Sequence, residues 1–196
     1  MDEFPGAGAI DQALAAVGDL LAARGARIAV IIVGGATLNL LGIVSRSTGD
    51  VDVIALADRD AEGRLKLRNA EPFPAELQEA IRTVARDFGL SEHWMNAAVG
   101  KQWSQGLPPG IEDDVNWRNY GGLQVGLVGR RTLIALKLFA AVDRGPSSVH
   151  VQDLIELAPT DPELKYAAEG VETQDTSPEV PRLIQQGILY VQQHHG

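Results

Sequence analysis

The sequence predicts an α/β fold, and three observations carry that expectation. Residues 27–33, RIAVIIV, are apolar and β-branched almost throughout, as suits a strand buried on both faces near the centre of a sheet. Two further segments, 50–56 (DVDVIAL) and 123–128 (LQVGLV), read as strands. Between and around them lie stretches whose apolar residues recur at helical spacing. With 196 residues the chain can bury one good core, or a main domain with a small helical appendage, but is short for two full domains.

Taken in order, Ile10, Ala13, Leu14, Val17 and Leu21 mark a first helix that Gly25 stops. The strand at 27–33 follows. After Gly34 and Gly35, ATLNLL supplies about two helical turns closed by Gly42, and the sixteen residues 34–49 suffice for a helical crossover to the strand at 50–56. Residues 57–72 are charged and polar and read as a loop. Pro74 opens a helix to Phe88 with Leu77, Ile81, Val84, Ala85 and Phe88 on one face. From Glu92 to Gly122 come all three tryptophans, a Pro-Pro pair and Glu112-Asp113-Asp114, which suggest short elements around a cleft wall. After the strand at 123–128, Thr132 is a candidate cap for a helix over 133–142, and a shorter helix spans 149–157. Residues 159–178, rich in Pro, Glu, Asp and Thr, read as an exposed link. Ser177 and Pro178 then open a last helix with a stripe of Val180, Leu183, Ile184, Gly187, Ile188 and Val191.

Composition narrows the classes of function. A net charge of −9 argues against a protein that wraps long nucleic acid by neutralising phosphates, so no extended nucleic-acid groove is expected. There is no cysteine, which removes disulfides and thiolate metal sites together. The N-terminal segment lacks the basic start and apolar run of a signal peptide, and no apolar run approaches the length needed to cross a bilayer. A cytoplasmic setting with no membrane partner is the expectation.

The stretch from Ile32 to Val53 carries the chemistry. Two glycines leaving a buried strand let a ligand approach the backbone closely, and the unpaired N–H groups of the first helical turn favour an anion such as phosphate; a tight turn with no ligand is the other reading. On a strand, residues i and i+2 face the same side, so Asp50 and Asp52 present two carboxylates together. Mg²⁺ takes hard oxygen ligands and is typically held by one or two carboxylates plus substrate phosphates. The motif alone is cheap: the 14 aspartates predict about one Asp-x-Asp by chance, and Asp58-Arg59-Asp60 is a second, read as a solvated loop. Position separates the two, because only Asp50 and Asp52 begin a strand directly after the Gly-Gly helix.

Gly34-Gly35, fourteen residues, then Asp50-x-Asp52 with Arg46-Ser47-Thr48 just before, resembles the nucleotidyltransferase superfamily (DNA polymerase β-like fold), in its small AbiEii-type toxin branch and uncharacterised relatives. The resemblance runs on through His93-Trp94-Met95-Asn96, Tyr120-Gly121-Gly122, Leu136-Lys137, Asp143-Arg144 and 151–154, and covers roughly residues 28–157. It implies a small mixed sheet flanked by helices in a nucleotidyltransferase-like domain over 1–157, with 158–196 as a linker and amphipathic helix packed on the same unit. It implies that Gly34 and Gly35 hold the triphosphate of an NTP, that Asp50 and Asp52 bind Mg²⁺, and that a nucleoside monophosphate passes to a hydroxyl. The acceptor is open: a protein, a small molecule or tRNA. As the toxin half of a toxin–antitoxin pair, the chain would also have an antitoxin protein as partner.

Supporting residues carry two readings each. Lys137 lies in an otherwise apolar helix, where an ammonium requires an anionic partner. The resemblance makes that partner a triphosphate; an internal ion pair with Asp143, Asp153 or an Asp of the pair is the alternative. Asp153 matches the position of a suggested base for the acceptor hydroxyl in AbiEii-type toxins, or is a helix-surface carboxylate. Arg46 is a candidate phosphate clamp and Thr48 a hydrogen-bonding group near the metal, although Ser-Arg-Ser-Thr is equally good loop chemistry. Asn96 is a candidate for ordering the cleft. Trp94, Trp103 and Trp117 are core or rim aromatics before they are base-stacking platforms. One departure stands out: active members of the superfamily usually take a third carboxylate from a later strand, and 123–128 has none, leaving Glu112, Asp113 or Asp114 as substitutes. A catalytically degenerate nucleotide-binding or protein-interaction module is therefore the alternative to an enzyme.

Overall fold

The computed structural model describes residues 3–100, 106–144 and 148–194, leaving Trp103, His195 and the side chain of Asp143 outside the described residues. The buried run after the first helix forms the centre of a mixed six-stranded sheet. Strand β1 (Ile28–Val33) follows helix α1 (Ala7–Ala23) and is continued directly by the short helix α2 (Gly34–Leu40). Then come β2 (Val51–Arg59), β3 (Leu65–Arg68), α3 (Ala75–Phe88), β4 (Met95–Asn96), β5 (Val115–Tyr120) and β6 (Leu123–Val128). The strand order is β3-β2-β1-β6-β5, with β4 also on β2. β1 is parallel to β6, and its last four residues are all buried, which is why it had to be apolar on both faces.

Several expectations are corrected here. The residues between β1 and β2 do not form a crossover between parallel strands: β1 and β2 are antiparallel, with Val33 opposite Asp52 and a bulge beside Ile31 and Ile32. The expected loop at 57–72 contains the end of β2 and all of β3, an antiparallel pair in which Arg68 bridges Asp58 at 2.9 Å. Asp58 and Arg59 are therefore strand residues, while Asp60 closes the turn by accepting the N–H groups of Glu62 and Arg64. The region 92–122 is not uniformly irregular, because β5 pairs along its whole length with β6.

The described residues fall into two compact units, one within 1–104 and 115–128, the other within 105–114 and 129–196. In the first, Ile10, Leu14, Val17 and Leu21 of α1 and Leu77, Ile81 and Val84 of α3 share a core with Val30, Ile32, Val53, Leu56 and Val125 of the sheet. Phe88 ends its helix exposed, and Gly89 stops that helix in the left-handed region.

The second unit is helical: α4 (Arg130–Arg144), α5 (Val149–Leu157), α6 (Asp161–Gln174) and α7 (Val180–His194). Thr132 does not cap α4, since the helix begins at Arg130. The capping carboxylate is Asp114, whose Oδ2 accepts both the N–H (2.9 Å) and the hydroxyl (2.8 Å) of Thr132. The expected exposed link at 159–178 is mostly the helix α6. Thr160 and Glu163 form a reciprocal capping box at its start, and Leu164, Ala167 and Val171 bury one face. Among the described residues no helix is long and apolar enough to cross a membrane.

Candidate functional site

Chain geometry brings the glycine turn and the two acids to the same end of the sheet. β1 ends at Val33, Gly34 follows with φ of 76°, and Asp52 sits opposite Val33 on β2. The approach is close enough to exclude a side chain: a Cβ on Gly34 would lie 2.7 Å from Asp52 Oδ2. On Gly35 it would lie 2.8 Å from the hydroxyl of Thr48 and 3.6 Å from Nη2 of Arg46. Thus Gly34, Gly35, Arg46, Thr48 and Asp52 are neighbours, although they come from three separate pieces of chain. Asp50 joins them through the backbone, its carbonyl accepting the Thr48 hydroxyl at 3.4 Å.

The supports of this cluster are themselves specific. Asn39, buried on α2, donates its amide to the carbonyl of Gly35 at 3.0 Å and so fixes the glycine turn one helical turn away. At the far end of α2, Arg118 donates to the carbonyl of Leu40 at 2.5 Å while pairing with Asp11 of α1 at 3.0 Å. Tyr120 donates its phenol to the same Asp11. Burial, then that hydrogen bond, pushes the Tyr120 hydroxyl up to about 12. Phe4 forms an isolated two-way bridge with the backbone of Thr48 and stacks edge-on against buried Trp94. None of Phe4, Asn39, Asp11 and Arg118 is marked by a motif. Of these, Asn39 had a local signal, being with Thr37 one of two polar residues in an otherwise apolar helix.

β4 closes the other side. Asn96 is aligned with Asp52 in the parallel pairing of β4 and β2, and its amide donates to Asp50 Oδ2 at 3.5 Å. A cavity of about 580 Å³ opens here, lined by Asp50, Asp52, His93 and Asn96 among others. It shares His93, Asn96 and Ala98 with an adjoining cavity of about 500 Å³ that reaches Phe73, Ile81 and Arg82. His93 therefore stands between two cavities.

Two carboxylates and open space for phosphate oxygens are a donor set that fits one Mg²⁺. Among the described residues there is no group of three or more His, Cys, Asp or Glu able to hold a metal. The acidic substitutes considered on sequence lie in the helical unit. Glu112 and Asp113 occupy a short 3-10 turn (Ile111–Asp113), and the Asp114 carboxylate caps α4.

Lys137 and Asp153 are also in the helical unit, and they are bound to each other. Nζ of Lys137 is 2.6 Å from Asp153 Oδ2, with side chains 8% and 2% exposed. Among the described residues, Asp153 is the anionic partner that Lys137 meets, and Asp153 is a buried rather than a surface carboxylate. Arg130 and Arg131, which cannot gain from the dipole at a helix start, each find a partner: Arg130 pairs with Glu163 at 2.7 Å and Arg131 lies over the Tyr166 ring. Arg130, with help from Thr160, holds the Glu163 carboxyl down at about 2.

Comparison with family models, with curated proteins and with solved structures gives no match. A functional reading therefore rests on the residues and geometry above.

Proposed function

We propose that this chain is a Mg²⁺-dependent nucleotidyltransferase that moves a nucleoside monophosphate from an NTP to a hydroxyl acceptor, acting as the toxin of a toxin–antitoxin pair. The observation that supports the reading most is the contact between the glycine turn and the metal-binding type of acid, a Cβ on Gly34 falling 2.7 Å from Asp52 Oδ2. A nucleotide triphosphate needs both a close backbone approach and a counter-charge for its bridging phosphates, and these two needs meet at one place.

In this reading the amides of Gly34 and Gly35 hold phosphate oxygens, and Arg46 adds a guanidinium suited to bidentate contact. Asn39 keeps the turn rigid through the Gly35 carbonyl, so donors are positioned before substrate arrives. Asp50 and Asp52 hold the metal, and Asn96 orients Asp50 by its amide. When bound, Mg²⁺ would neutralise charge on the phosphoryl oxygens and lower the pKa of the attacking hydroxyl. The acceptor is a protein, a small molecule or tRNA.

The test is incubation with each α-labelled NTP and Mg²⁺, with total tRNA, a protein lysate and a metabolite extract as acceptor sources. Label transfer should depend on Mg²⁺ and fall on the order of 10²-fold or more in Asp52→Asn, as for loss of a main electrostatic group at a reacting phosphate. Transfer that survives Asp52→Asn sinks the reading. A second reading, a nucleotide-binding or protein-interaction module without turnover, is favoured by one observation: β6 carries no acid to serve as a third carboxylate. It predicts NTP binding that weakens in Asp52→Asn, with no transfer from any nucleotide.

A further inference from the structure

On the sheet face that carries Asp52, the strand register sets out rows of side chains. Asp52 lies in the row of Val33, and the next row pairs Ala55, Ile31, Gly126 and Trp117. One row further, Ala57, Ala29, Gln124 and Asn119 lie side by side. The small residues Ala29 and Ala57 leave a depression there, and a cavity of about 340 Å³ occupies it. Its walls are Trp117 on one side, Asn119 and Gln124 on another, and Arg27 and Arg59 at the end.

Three features set this depression apart from an ordinary solvated sheet face. Trp117, 37% exposed, is held down on the sheet rather than waving in solvent: a Cβ on Gly126 would fall 3.2 Å from its ring, so the glycine makes room for the indole. Two guanidiniums border the same cavity. Arg27 is exposed with no ion-pair or hydrogen-bond partner among the described residues, and Arg59 gives one bond, at 2.9 Å, to the carbonyl of Gly63. One acid, Asp58, also lines the cavity, and its carboxylate is paired with Arg68 at 2.9 Å. The side-chain amides of Asn119 and Gln124 each offer a donor and an acceptor.

We propose that this depression binds a free nucleoside monophosphate, its base against Trp117 and the two amides and its phosphate on Arg27 and Arg59. An aromatic wall with paired donors and acceptors suits a heteroaromatic base, and a pair of arginines suits a phosphate. The volume is that of a small-ligand site, and the chain's net charge of −9 disfavours a long polyanion. The site is distinct from the Asp50–Asp52 cavity, because Ile31 and Ala55, both fully buried, lie between them. It does not depend on the transferase reading.

Calorimetric titration of the full chain with AMP, GMP, CMP and UMP in EDTA tests it. At least one should bind saturably and with unchanged affinity in Asp52→Asn. The affinity should drop tenfold or more in the double variant Arg27→Ala/Arg59→Ala, and by a similar factor when the nucleoside or ribose 5-phosphate replaces the nucleotide. Gln124→Ala, an exposed position on β6, should weaken binding too. The proposal is overturned by any of four results: no saturable binding up to millimolar nucleotide, affinity indifferent to the arginine pair, binding lost in Asp52→Asn, or tenfold tighter binding of a single-stranded oligonucleotide.

Discussion

Asp50, just before β2, and Asp52, on it, border one open cavity, whereas Asp153 is 1% exposed with a lysine ammonium 2.6 Å away. The first arrangement concentrates negative charge where water and ions can reach it. The second removes both charges from water and leaves each dependent on the other. The same residue type thus does two different jobs. An acid pair beside a glycine turn is built to receive a cation and a ligand, and an acid locked to a buried lysine is built to hold helices α4 and α5 in register.

That contrast fails if the buried pair can be broken cheaply. Removing one member strands a charge in an apolar setting, so Lys137→Met and Asp153→Ala should each cost about 3–5 kcal/mol in urea unfolding. The double change Lys137→Met/Asp153→Leu should recover most of that loss. A single substitution that leaves unfolding unmoved would mean that the pair is not buried in solution. Next in size is Gly34→Ala. It places an ordinary residue at φ of 76°, with its Cβ 2.7 Å from Asp52 Oδ2, and should cost about 1–3 kcal/mol from the backbone alone while abolishing NTP binding measured by calorimetry. Full NTP affinity in a folded Gly34→Ala protein would separate the glycine turn from the ligand.

The first unit was easier to foresee from sequence than the second, and the reason is physical. β1, β2 and β6 are apolar because two neighbours and a helical layer cover them, and that burial is written in their residues. β3 (LKLR) and β5 (VNWRNY) are edge strands, held by backbone bonds to one neighbour, and backbone bonding leaves little trace in side-chain type. Antiparallel pairing of β1 with β2 was hidden because a segment of 34–49 can return in either direction. α6 was obscured by composition: Asp, Pro, Glu and Thr mark loops, yet Thr160 and Glu163 are also the two halves of a capping box. For the candidate site, local spacing pointed to Gly34, Gly35, Asp50 and Asp52. It could not point to Phe4, Asp11 or Arg118, whose contributions exist only once distant segments meet.

Acid titration sharpens the contrast at a partly exposed pair, where effects should be smaller. The Glu163 carboxyl, held at about 2 chiefly by Arg130, has its folded value below its unfolded one of 4.5. Its stabilising contribution is therefore complete above the unfolded value and is lost as pH falls from about 5 toward 2. In Glu163→Gln the acid-induced loss over that window should shrink, and stability at pH 7 should fall by about 1 kcal/mol from the weakened cap and ion pair. Equal acid sensitivity of the two proteins in urea melts would show that Arg130 and Glu163 are not coupled in solution.

The smallest effect belongs to the open acid pair itself. Asp50 accepts one long hydrogen bond from Asn96, at 3.5 Å, and lines the same cavity as the carboxylate of Asp52. Asp50→Asn relieves repulsion while sacrificing a weak contact, so in EDTA the unfolding free energy should move by no more than about 0.5 kcal/mol. Its consequence appears on adding metal. An ion that binds only the folded state raises stability in proportion to RT ln(1 + [L]/Kd), so millimolar Mg²⁺ with NTP should raise the Tm of the native chain and leave that of Asp50→Asn where it was. A large stability change in EDTA would instead make Asp50 a structural acid like Asp153. The difference between the two kinds of acid in this chain would then disappear.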